Sequence, residues 1–91
     1  MLQLILNDKL ILSFEPLGKK VRLIISEAEV ELACRKETIK NLKKFLTEDE
    51  TKIFKGRLQL HKQLDIIEIL LKDKPIAVVS SIDFEQILNK L

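Results

Sequence analysis

Val30-Glu31-Leu32-Ala33-Cys34-Arg35-Lys36-Glu37-Thr38-Ile39-Lys40-Asn41-Leu42-Lys43-Lys44-Phe45-Leu46 decides the fold of this chain, because its hydrophobic period changes once along the way. Val30, Leu32 and Cys34 share one face with Glu31 opposite, the alternation of a strand with one buried side. From Lys36 the period is helical. Ile39, Leu42, Phe45 and Leu46 lie on one side, and Lys36, Lys40, Lys43 and Lys44 on the other. Pro75 to Leu91 repeats this layout at equal length. There Ile76-Ala77-Val78-Val79 reads as a strand, and Ser80 caps a helix with Asp83 three residues on. Phe84, Ile87, Leu88 and Leu91 then form an apolar stripe at i, i+3, i+4 and i+7.

Upstream of the first strand-helix segment the pattern is β throughout. Leu2, Leu4 and Leu6 alternate, Asn7-Asp8-Lys9 supplies turn chemistry, and Leu10, Leu12 and Phe14 alternate again, which predicts a hairpin. Pro16-Leu17-Gly18-Lys19-Lys20 is the next break, and Val21 to Ser26 the third strand. Between the halves, Thr47-Glu48-Asp49-Glu50 reads as an acidic connector. Lys52-Ile53-Phe54-Lys55 then reads as a short strand, Gly56 as a turn or bulge, and Arg57 to His61 as a further strand. Gln63 to Leu71 fits a helical stripe through Leu64, Ile67, Leu70 and Leu71, but its Ile density favours a strand over Ile66 to Leu71.

The prediction is an α+β fold of two tandem ββββα units, with antiparallel sheets and two packed helices, in one domain over 1–91. The units span 1–46 and 51–91. They align at an offset of 45 from Val21 onward, pairing Val21 with Ile66, Ile24 with Ile69 and Leu42 with Ile87. Several strands carry apolar residues on both faces, so one set of faces would meet the helices. The other set calls for a second sheet or a second subunit, and a homo-oligomer is the expectation.

Composition narrows the function. With 91 residues there is room for one modest core, and 46% apolar with 33% charged is a globular balance. One Cys excludes an internal disulfide, and one His with one Cys leaves no protein-only zinc site of the usual kinds. No apolar run reaches the ~18–20 residues of a membrane span, and no basic leader precedes Leu2, so the expectation is a cytoplasmic protein without membrane contact. His61 reads as a solvated strand-end residue and Cys34 as a small core hydrophobe. Ser80 and Ser81 read as caps, because no G-x-S-x-G elbow surrounds them. Gly18 and Gly56 are isolated, so no phosphate loop is present. Nothing indicates catalysis, a cofactor, a metal or a small-molecule substrate.

Charge is more telling. The net charge is +2, yet residues 35–62 hold nine basic and four acidic side chains while both flanks are slightly acidic. The lysines on the first helix read as a solvated face. Lys52, Lys55 and Arg57 stand apart, because they lie on strands around Phe54 and a glycine. A basic strand surface with an aromatic residue is what sequence-tolerant single-strand binding uses. Phe45 and Phe84 belong to the helix stripes, which leaves Phe14 and Phe54 either on an open sheet face or in the core.

The strand-helix segments Val30 to Leu46 and Pro75 to Leu91, each closing a run of four strands, resemble the end of the β4α unit of Whirly proteins, Pur-type proteins and the single-stranded-DNA-binding coactivators. The resemblance implies a four-stranded antiparallel sheet before each helix, with two units paired within or between chains. It also implies single-stranded DNA or RNA bound along sheet surfaces and strand edges by basic and aromatic residues. Carried over by position, the candidates are Phe14 and Arg22 in the first unit and Lys52, Phe54, Lys55 and Arg57 in the second. The leading expectation is a non-catalytic module that holds single-stranded nucleic acid on a basic sheet surface. The alternative is a homo-oligomeric protein-interaction or structural module. An enzyme comes third.

Overall fold

Thr38 and Ser80 are where each strand turns into a helix, and both do so by the same chemistry. Each sits in extended backbone with its hydroxyl accepting from the first helical turn, Thr38 Oγ1 from the Asn41 amide at 3.1 Å and Ser80 Oγ from the Ile82 amide at 3.1 Å. A computed structural model describes residues 2–48 and 51–91. Its element order is ββββα-ββββα. Strands β1 (Leu2–Ile5), β2 (Leu10–Leu17), β3 (Lys20–Glu27) and β4 (Val30–Thr38) form one antiparallel meander, followed by α1 (Ile39–Thr47). Strands β5 (Lys52–Ile53), β6 (Leu58–Gln63), β7 (Ile66–Leu71) and β8 (Lys74–Ser80) form a second, followed by α2 (Ser81–Lys90). Asp49 and Glu50 of the predicted acidic connector lie outside the described residues.

Gln63 to Leu71 is a hairpin end and a strand, not a helix, because Ile67 and Ile69 each have a cross-strand partner on both sides. Pro16 lies inside β2, where sequence suggested a break. Among the described residues pairing with β1 extends from Ile11 to Phe14, so the missing amide at Pro16 faces no described neighbour. Two hairpin turns, at Ala28-Glu29 and Lys72-Asp73, have positive φ at both central residues, the type I′ geometry that matches strand twist.

The internal repeat is real in element order but its register is corrected. An offset of 45 would place Ile24, which faces away from the core, against buried Ile69. The structure aligns the β3–β4 and β7–β8 hairpins at 44 instead, so that turn falls on turn and the irregularity after Ile25 falls on the one after Ile69. The helices align at 42, cap on cap, because β4 runs two residues further past its Ala33 than β8 past Ala77. A one-residue shift swaps the two faces of a strand, whereas a two-residue shift preserves them.

The two units share a single core. It takes Leu12, Phe14, Val21, Leu23 and Ile25 from the first sheet, Leu58, Leu60, Ile67 and Ile69 from the second, and Leu42, Phe45, Phe84 and Leu88 from the helices. Contacts cross between units. The Phe84 ring of α2 meets Phe14 of the first sheet edge-on with centroids 5.2 Å apart. Lys62 of the second sheet caps α1, donating from Nζ to the carbonyls of Phe45 and Glu48 (2.6 Å to the latter). A radius of gyration of 11.9 Å matches the ~12 Å of one folded domain of this length. No described helix is long and apolar enough to cross a membrane.

Candidate nucleic-acid interface

The six candidate residues separate into three environments. Phe14 is corrected to a core residue. It stands on the inner face of β2 between Leu2 and Leu23, fully buried, with its edge contact to Phe84. No base can stack on it. An apolar residue in the strand between β1 and β3 is covered on the side where the helices pack, and only the assembled core decides which side that is.

Arg22 lies on the outer face of the first sheet, paired across strands with Glu15 and Lys36. Its guanidinium meets Glu31 at 2.8 Å and Glu15 at 3.6 Å, and also donates to Cys34 Sγ at 3.6 Å. The Cys34 contact and the Glu31 carboxylate together raise its pKa. Two carboxylates therefore occupy the charge that a phosphate would need.

The remaining four residues fall on β5 and the β5–β6 connection. Lys52 is exposed on β5, opposite His61, which is itself opposite Glu68 on the same outer face of the second sheet. The His61 ring contacts Gln59 Oε1 through Nε2 at 3.2 Å and has no catalytic partner among the described residues. The strand ends at Ile53, because Phe54 adopts φ +70°, a left-handed conformation that stops the ladder. Gly56 at φ +112° completes the corner, in a region that favours glycine. Lys55 and Arg57, on either side of it, are both exposed.

Arg35 completes this corner from the other unit, and sequence reading did not single it out. It is on β4 opposite Leu23, a position on the core side of the first sheet where a charge must reach outward to stay solvated. It donates from Nη1 to the Lys55 carbonyl at 3.0 Å and lays its guanidinium over the Phe54 ring, 5.2 Å from the centroid. The signal was a cation at an inward strand position, which becomes visible only once the register is known. Half-buried Phe54 thus packs against the core and has the Arg35 guanidinium over its ring.

Arg35, Lys52, Lys55 and Arg57 form no ion pair among the described residues. Of the acids nearby, Glu31 is paired with Arg22, while Asp73 accepts from the Gln59 amide at 2.8 Å and keeps its charge. Beside the corner, Glu31, Leu32, Arg57, Leu71 and Lys72 line an open recess between the two sheets. Chemically, the corner offers cations with no ion pair among the described residues and a guanidinium seated over an aromatic ring, suited to phosphate oxygens and base faces. Among the described residues, no three His, Cys, Asp or Glu side chains gather to hold a metal ion.

Compared with family models, with curated proteins and with solved structures, the chain finds no significant match.

Proposed function

We propose that this protein is a non-catalytic module that binds single-stranded nucleic acid at the β5–β6 corner, with little sequence preference. One observation carries the reading. Arg35 of the first unit meets the β5–β6 corner that carries Lys55, with Lys52 and Arg57 adjoining it in the chain, and none of the four forms an ion pair among the described residues. Phosphate neutralisation by these four cations supplies the affinity, through counterion release. The Arg35 guanidinium, seated over the Phe54 ring, offers a base a planar cation to stack on. The ββββα-ββββα order, which resembles that of Whirly and Pur-type proteins, supports the same reading. The binding surface is a corner between two sheets, not the open face of one.

Fluorescence anisotropy of a labelled mixed-sequence single-stranded oligonucleotide tests it. Four neutralised phosphates give a log-log salt slope of about −3, so affinity falls roughly fiftyfold between 50 and 200 mM salt. Lys55→Glu weakens binding about tenfold and flattens that slope. No binding at low salt, or equal binding to duplex, ends the proposal.

A further inference from the structure

β8 is an open edge blunted only at its start, by Pro75 and the bulged Ile76, and it carries no charge beyond them. It pairs with β7 on one side, and no backbone hydrogen bond satisfies its other side among the described residues. Its equivalent in the first unit, β4, is guarded by Glu31, Arg35, Lys36 and Glu37. From Pro75 to Ile82 the second unit has no charged residue at all. Val78, in the middle, is 51% exposed. Such a strand is a template for another strand, and proteins ordinarily blunt it with charge. β1 and β5 are also edges, but they span four and two residues against seven in β8.

The ends of β8 differ in charge. Lys72 and Lys74 flank Asp73 at its start, two cations against one carboxylate. Asp83 stands in the first turn of α2 beyond its end, and Asp65 adjoins that end through its carbonyl, which accepts from the Ser81 amide at 2.8 Å. An antiparallel pairing of β8 with itself places the basic end of each copy against the acidic end of the other, twice by symmetry. A parallel pairing sets like charges together. Exposed Ile66 and Ile82 flank the acidic end and would be covered by the partner's Ile76 region.

We propose that β8 pairs antiparallel with β8 of a second copy, joining two four-stranded sheets into one eight-stranded sheet across a twofold axis near Val78. The contact is isologous, so it closes at a dimer. β8 and β5 are opposite edges of their sheet, so the pairing edge is not the one that carries Lys52; the two surfaces come nearest at Lys72, whose amide donates to the Arg57 carbonyl.

Sedimentation equilibrium up to about 100 µM protein reads the dissociation constant, since an isologous dimer dissociates by mass action. The full chain is expected to dimerise, and Val78→Lys to be monomeric with an unchanged far-UV spectrum and unchanged oligonucleotide binding. That last readout separates failure of the dimer from failure of the nucleic-acid proposal. Lys74→Glu raises the dissociation constant about tenfold, from two symmetric cross-strand pairs, and Lys74→Glu with Asp83→Lys restores it. A wild-type chain that stays monomeric, a Val78→Lys variant that still dimerises, or a double variant that fails to recover would each overturn the proposal.

Discussion

Two long cations, Arg35 and Lys62, occupy inward positions of their sheets, and each reaches the other unit. Arg35 ties β4 to the β5–β6 corner, while Lys62 satisfies the α1 C-terminal carbonyls and lies over the Phe45 ring at 5.4 Å. Lys62→Met keeps the stem packing but orphans those carbonyls. It should cost about 1–2 kcal/mol, lowering the melting temperature by roughly 5–15 °C, as a thermal scan followed by circular dichroism will read. Phe14 presents the opposite lesson. Because it is core, Phe14→Leu should destabilise by about 1–2 kcal/mol in a urea titration and leave oligonucleotide affinity within about twofold. A large loss of affinity in the folded variant would return Phe14 to the binding surface. From sequence, Phe14 and Phe54 looked alike, each an aromatic residue beside strand-forming neighbours. What separates them is a buried strand position in one case and a left-handed corner covered by Arg35 in the other.

Among the elements, the apolar stripes of both helices and the Ser80 cap were legible because capping and the 3.6-residue stripe are local. Ser80, Phe84, Ile87 and Leu88 stand where the pattern placed them. Strand ends were less legible. β4 continues through Lys36 and Glu37 to Thr38, although a helical period could be traced from Lys36, because β3 offers those residues cross-strand partners. Register was not legible at all: the irregularities after Ile25 and Ile69 arise from pairing with a neighbour, and the offset between halves changes because β4 runs two residues further than β8. The hairpin turns carry a usable consequence. Glu29 is exposed at φ +69° in a type I′ turn, where glycine has no Cβ penalty. Glu29→Gly should stabilise by about 0.5–1 kcal/mol in the same urea titration, and a loss of stability would contradict that turn geometry.

At the scale of the whole molecule, the units are not two independent folds side by side. Phe84 of α2 rests on Phe14 of the first sheet, and Lys62 of the second sheet caps α1. Fragments 1–50 and 51–91 should therefore lack cooperative folding when separate, each exposing half of a shared core, and regain it when mixed. Circular dichroism melts of each fragment and of their equimolar mixture check this; a cooperative melt for either fragment alone would refute it. The sequence by itself determined the element order, the fold class, both helix faces and the region of basic excess, since each follows from neighbours within a few residues. Tertiary structure decided which face of each strand is inward, which phenylalanine is core, which cations are already paired, and that Arg35 joins the β5–β6 corner. Those properties depend on pairing between residues far apart in the chain, and side-chain periodicity is the same for either face of a strand until a partner covers one.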